Sequence, residues 1–268
     1  MRKIAVAGGS LPIHLHEADS DAPMLVFLHY WGGSHRTFTP LLEQLEYPGT
    51  VVTYDHRGWG ESRGLPGPYD ITQLAADAHA VLTELAPERF VLIGHSMGGK
   101  VAQLLAARRL PGLAGVVLIG PAPARPAVTP EAQRQLVHAY DSAETVAGAL
   151  EHVLTHRRLS DALREQVIQD SLAGSTATHE AWALDSIARD ISAVTPRIEV
   201  PVVVLAGEHD LVEPPQLLAD HLLPHVPTAT MRVVPDTGHL SPLENPGALA
   251  EAVRVALAEL TPISPLPR

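Results

Sequence analysis

The chain has 268 residues, with 30 acidic against 19 basic side chains, no cysteine and a formal charge of −11. A hydrophobic share of 46% beside 18% charged residues excludes a disordered or membrane-embedded chain. The acidic balance, with no Lys/Arg cluster to offset it, excludes a nucleic-acid binder, and the lack of cysteine excludes disulfides and thiolate zinc sites.

The length is near the upper size of one hydrophobic core, so one domain with a large insertion is expected. The opening Met1-Arg2-Lys3-Ile4-Ala5-Val6 is basic, but its apolar stretch is too short for a signal segment. No later segment is long enough to span a bilayer, so no membrane span is expected and the cytoplasm is the expected compartment.

Short β-rich runs alternate with helical ones, the pattern of a mostly parallel sheet covered on both faces. Strands are expected at Ile4–Ala7, Ile13–Glu17, Met24–His29, Thr50–Tyr54, Phe90–Ile93, Val116–Ile119, Val202–Ala206 and Met231–Val234. The first two read as an antiparallel edge hairpin through Gly8-Gly9. Helices are expected at Phe38–Leu45, Ile71–Leu85, Gly99–Leu110, Pro215–Leu223 and Gly247–Leu260.

Between Pro121 and Pro201 strand signals stop and four helix-like runs follow. Two of them, Pro130–Tyr140 and Asp161–Leu172, start behind the capping residues Thr129 and Ser160. This stretch reads as a helical lid inserted into the sheet order, bounded by proline-rich connections at Pro121–Pro126 and Thr195-Pro196. A frayed end is expected at Thr261–Arg268, which carries three prolines.

The decisive segment is Phe90-Val91-Leu92-Ile93-Gly94-His95-Ser96-Met97-Gly98-Gly99-Lys100-Val101, an apolar strand, a G-x-S-x-G and the start of a helix. A nucleophile between a buried strand and a helix sits on a very sharp turn. That turn brings backbone so close that the positions two before and two after it accept almost only glycine, here Gly94 and Gly98. The turn would lift the Ser96 hydroxyl out of the sheet end and aim a helix N-terminus at any oxyanion formed there.

With this segment, Leu28-His29-Tyr30-Trp31-Gly32-Gly33-Ser34 and Tyr54-Asp55-His56-Arg57-Gly58-Trp59-Gly60-Glu61-Ser62, the chain resembles the α/β-hydrolase family over nearly its whole length. The similarity is to the lid-bearing branch of esterases, lactonases, perhydrolases and carbon–carbon bond hydrolases. The resemblance implies a mostly parallel eight-stranded sheet with helices on both faces and a helical lid. It divides the chain into core (1–121), lid (122–198) and core (199–268). By position it makes the backbone N–H of Trp31 one oxyanion donor and that of Met97 the other, with Tyr30 standing where the family usually has glycine. His29 reads as a buried structural histidine, and the loop from Asp55 to Ser62 as an architectural brace.

A serine hydroxyl needs a neighbouring imidazole to take its proton, and the imidazolium so formed needs a carboxylate to orient and stabilise it. In this fold the chain order is Ser, acid, His. Gly207-Glu208-His209-Asp210-Leu211-Val212-Glu213-Pro214 resembles the family's acid loop with Asp210 in the acid position. Glu208 and Glu213 are alternatives that fit solvated loop positions better. Pro235-Asp236-Thr237-Gly238-His239 resembles the loop carrying the base, His239.

Among 15 histidines, His14 and His16 share one strand face, but the sequence puts no third ligand beside them, so no metal is expected. No cofactor is implied either. His95 reads as a packing residue, and His209 has no assignable role. The expected partner is a small, largely apolar ester or lactone, with Tyr30 and the lid's Trp182 as substrate contacts and Leu184 and Ile187 near the mouth. The same triad also serves carbon–carbon or amide/lactam hydrolysis and acyl transfer to peroxide. A sensor built on an idle triad is the reading from another class, and neither substrate nor oligomeric state is legible.

Overall fold

A computed structural model describes residues 1–260; the expected frayed end at 261–268 lies outside them. Eight strands form one sheet: β1 (Arg2–Val6), β2 (Gly9–His16), β3 (Met24–Leu28), β4 (Val51–Tyr54), β5 (Phe90–His95), β6 (Leu113–Ile119), β7 (Val202–Gly207) and β8 (Ala229–Val234). Their order is β1-β2-β4-β3-β5-β6-β7-β8. The pairs β1–β2 and β2–β4 are antiparallel and all others parallel. The edge hairpin turns one residue earlier than expected, at Ala7-Gly8. Gly8 takes φ +81°, which a side chain would resist, and Val6 pairs directly with Gly9.

The central strands β3, β5 and β7 are apolar along nearly their whole length because helices cover both faces. Alternate residues feed two cores. Leu25, Phe27, Val91, Ile93, Val117 and Ile119 pack against α1 (Thr39–Leu45) and the C-terminal helix Pro246–Leu260. Val26, Leu28, Leu92, Leu118 and Val204 pack against α2 (Ile71–Leu85) and α3 (Met97–Ala106). Each such side chain, fully removed from water, contributes about 1.5–3 kcal/mol.

From β6 to β7 the chain makes helices alone: α4 (Pro130–Leu136), α5 (Ala143–Ala149), α6 (Asp161–Leu172), α7 (Thr176–Glu180) and wide π-turns at Leu150–Leu154 and Ala181–Asp185. Thr129 and Ser160 cap their helices as expected, accepting from Ala132 N–H and Leu163 N–H. The first of these helices is shorter than expected, ending at Leu136, after which turns lead to Tyr140. Beyond β7 come α8 (Pro215–His221), α9 (Ser241–Glu244) and α10 (Pro246–Leu260). Among the described residues no helix is long and apolar enough to cross a membrane.

The loop after β4 is the expected brace. Buried Arg57 grips Asp77 of α2 with two bonds of 2.7 Å and donates to the carbonyls of Ala7 and Pro66, joining hairpin, loop and helix. Asp55 accepts from the His35 backbone N–H (2.6 Å), the His35 Nδ1–H (2.8 Å) and the Glu61 N–H (2.7 Å). Burial pushes the Asp55 carboxyl up, but His35 and these N–H groups outweigh it and hold it well below the usual carboxylate range. A depressed folded-state pKa contributes stability that is full above the unfolded value, near 4, and is lost as pH falls below it. We expect Asp55→Asn to lose about 3 kcal/mol at pH 7 in urea unfolding. The gap to wild type should shrink as the pH is lowered from 5 to 3, and a gap constant across that range would contradict the assignment.

Candidate active site

Strand β5 runs into α3 through Ser96, whose φ of 51° and ψ of −113° are a conformation that a side chain rarely adopts. The turn closes because its neighbours lack Cβ atoms. A Cβ on Gly94 would lie 2.5 Å from the Gly98 carbonyl oxygen, and one on Gly98 would lie 2.1 Å from that of Leu28. Ser96 N–H donates to Ile119 O at 3.0 Å, tying the elbow to β6. The Ser96 hydroxyl makes no hydrogen bond to another described residue and lines a cavity of about 350 Å³.

The loops after β7 and β8 bring Asp210 and His239 to the same place. His239 Nδ1–H donates to Asp210 Oδ2 at 2.8 Å, with both side chains almost wholly buried. Asp210 Oδ1 accepts from Val212 N–H (2.8 Å) and Glu213 N–H (2.9 Å), an Asx-type turn that fixes the carboxylate. Burial would push the Asp210 carboxyl up, but His239 and these two N–H groups bring it below the usual value, so it is ionised at neutral pH. With Nδ1 committed to Asp210, Nε2 is the nitrogen left for the cavity that His239 and Ser96 both line.

Two side chains hold the His239 loop: His95, expected to be a packing residue, and Glu244, to which the sequence gave no role. His95 Nε2–H donates to the His239 carbonyl at 2.8 Å; burial pushes this imidazole down to about 3, so it is neutral. Glu244, at the end of α9, accepts from Gly238 N–H at 2.9 Å with one oxygen. Its other oxygen accepts from His156 and Arg157 N–H, at 2.8 Å each. Only the place of His95 beside Ser96 gave a local signal; for Glu244 there was none.

The backbone N–H groups of Trp31, which lines the cavity, and of Met97, which is not part of its wall, have no partner among the described residues. The Tyr140 hydroxyl, from the helical insertion, donates to the Trp31 carbonyl at 2.7 Å, and its ring stacks on the Trp31 indole at 4.1 Å. His29 is the expected structural histidine: Nδ1–H donates to Tyr30 O at 2.7 Å, and Nε2 accepts from His56 N–H at 2.9 Å. Tyr30, in the usual glycine position, turns its ring onto His95 and walls the cavity, as Trp182 and Ile187 do. Leu184, expected near the mouth, is exposed and is not part of that wall.

A departure concerns Glu213, expected to be a solvated loop carboxylate. It is 7% exposed and forms part of the cavity wall with Val212. The turn that clasps Asp210 points the side chain three residues on inward. Glu208 does match expectation, half-exposed and accepting from Asp236 N–H at 3.0 Å. His14 is joined by His35 and Glu61 rather than by His16, with one possible ligand atom of each within 4.8 Å of the others. The two imidazoles stack at 4.0 Å, 16° from parallel, and each binds a carboxylate of its own, His14 to Glu61 and His35 to Asp55. Parallel rings direct their lone pairs alongside each other instead of at one point, so the cluster reads as paired braces.

The family model described as "Alpha/beta hydrolase family" matches residues 25–252. The chain is 28% identical to 3-oxoadipate enol-lactonase 2 of Acinetobacter baylyi, over 89% of this chain and 90% of that one. Among solved structures it superposes on an esterase from Exiguobacterium antarcticum with a TM-score of 0.85 and 19% identity, covering 95% of this chain and 98% of the other. A thermophilic esterase from Thermogutta terrifontis gives a TM-score of 0.78 at 25% identity, covering 97% and 98%.

The elbow geometry makes two glycines opposite in their tolerance. Gly98→Ala, with its methyl driven into the Leu28 carbonyl, is expected to lose at least about 3 kcal/mol in urea unfolding or to yield no folded protein. Gly148→Ala in α5, where a Cβ meets nothing within 4 Å, is expected to gain up to about 1 kcal/mol.

Proposed function

Because the chain belongs to the alpha/beta hydrolase family, we propose that it hydrolyses a small carboxylic ester or lactone through an acyl-enzyme on Ser96. The observation that carries this is the convergence of three chain segments on one cavity: Ser96 at the elbow, and His239 beside it with Nδ1 bound to the ionised Asp210 at 2.8 Å. The similarity to a lactonase and to esterases supports the substrate class.

In the proposed reaction the Ser96 hydroxyl oxygen attacks the substrate carbonyl carbon while His239 Nε2 takes its proton. The negative charge that develops on the carbonyl oxygen is met by the unpartnered N–H groups of Trp31 and Met97 and by the N-terminus of α3. Collapse of the tetrahedral intermediate breaks the carbon–oxygen bond to the leaving alcohol, to which the imidazolium returns the proton. For a lactone that alcohol remains part of the acyl chain. Water then attacks the acyl-enzyme with His239 as base, releasing the acid and restoring Ser96. Asp210 steadies the imidazolium in both halves. The mostly apolar walls, from Tyr30 and from Leu136, Val153, Leu154, Trp182 and Ile187 of the insertion, suit a compact acyl or ring substrate.

Ser96→Ala should fold like wild type and lose about four to six orders of magnitude of p-nitrophenyl butyrate turnover. Asp210→Asn should lower kcat by about 10⁴, whereas Glu208→Gln should leave it within a small factor. Mass spectrometry of the wild type quenched during turnover should find the butyryl group on Ser96. Activity surviving in Ser96→Ala, or an adduct elsewhere, would refute the mechanism. Tyr140→Phe removes the bond to the Trp31 carbonyl, so kcat is expected to fall about tenfold with KM little changed. A KM effect alone would instead make Tyr140 a simple wall.

A further inference from the structure

The cavity wall contains one carboxyl group, and the proposed mechanism leaves it unused. Glu213 ends the acid loop, its backbone N–H held by Asp210 Oδ1 at 2.9 Å and Pro214 following it, so the direction of its side chain is set by the turn that sets Asp210. It stands in the same wall as Ser96 and His239, yet its carboxyl makes no hydrogen bond or ion pair with any described residue.

No Lys or Arg stands in that wall, and its polar members besides Ser96, His239 and Glu213 are Tyr30, Tyr140, Gln135 and the indoles of Trp31 and Trp182. The Tyr140 hydroxyl is already spent on Trp31. The nearby buried cation is Lys100, but its ammonium donates to the Ile187 carbonyl at 3.0 Å and it stands outside the cavity wall. A buried carboxyl with no hydrogen-bond or ion-pair partner is costly to keep ionised, and a substrate arriving with the complementary charge lowers that cost.

We propose that Glu213 reads the substrate, receiving a protonated amino group carried on the acyl or alcohol part, so that the enzyme favours esters or lactones bearing a basic nitrogen and disfavours those bearing a carboxylate. This inference rests on the hydrolase reading only in taking the cavity as the place where substrate binds. Burial and the charge of Asp210 both push the Glu213 carboxyl well above its ordinary value, and the attraction of Lys100 does not offset them. An ammonium ion in the cavity reverses that balance and leaves an ion pair screened from water. A carboxylate in the same place would meet Glu213 with no cation in the wall to offset the repulsion.

The test uses three probes of one chain length, n-hexylamine, 1-hexanol and hexanoate, bound at pH 7 to full-length Ser96→Ala protein and measured by calorimetry. The same probes then compete with fluorophosphonate labelling of Ser96 in the wild type, which locates them in the cavity. The amine is expected to bind at least about tenfold more tightly than the alcohol, with hexanoate weakest. Glu213→Gln keeps the hydrogen-bonding shape without the charge and should erase the amine preference. Glu213→Leu should erase it too, and provides the second variant if the first fails to fold. Equal binding of the three probes, a preference for hexanoate, or an amine preference that survives either folded variant would overturn the proposal. The calorimetry on Ser96→Ala protein and its Glu213 variants needs no reactive serine, so loss of the hydrolase reading would leave that arm standing and its failure would leave that reading standing.

Discussion

The whole candidate site depends on how closely the β5–α3 turn approaches the end of β3. At Gly98 the two backbones lie within the distance that a single methyl group would occupy. That approach fixes Ser96 at the edge of the cavity, in whose wall Trp31, three residues beyond the end of β3, also stands. Parallel strands make the arrangement economical, because β5, β7 and β8 all deliver their following loops to one end of the sheet. The backbone strain at Ser96, on the order of 1–3 kcal/mol, is sustained by the two apolar layers that clamp the central strands.

The helical insertion does more than cover this end. Its Tyr140 holds the Trp31 carbonyl, the Leu154 carbonyl accepts from Leu240 N–H at 2.9 Å, and the backbone of His156 and Arg157 is bound by Glu244. The loops that carry His239 and Trp31 are therefore fastened from both sides, by the sheet and by the insertion. This accords with the physical demand on such a site, since reacting atoms misplaced by a fraction of an ångström lose much of the rate.

What was legible in the sequence was local. The parallel strands could be read because burial on both faces forces unbroken apolar runs such as Val202–Ala206, and the elbow because sharp turns exclude side chains at fixed offsets. The acid and base loops were legible through family resemblance, and the structure puts Asp210 and His239 in hydrogen-bond contact. What escaped was set by distant segments. Nothing near Glu213 announces that its turn faces a cavity rather than solvent, nothing near Tyr140 announces a bond to a residue 109 positions away, and His14 meets Glu61 only through the packing of β2 against the loop after β4. Element ends drifted for a similar reason: the helix starting at Pro130 stops at Leu136, because the chain there serves the cavity instead of a regular helix face.

Lys100 lies one turn into α3, four residues beyond the nucleophile, with no measurable exposure. Its ammonium, pushed down by burial to about 8, is still largely protonated at neutral pH and binds the carbonyl of Ile187, whose side chain walls the cavity. The helix that begins behind Ser96 is thereby tied to the insertion through one side chain, so that Ile187 cannot leave the cavity wall without breaking a bond made one turn from the elbow.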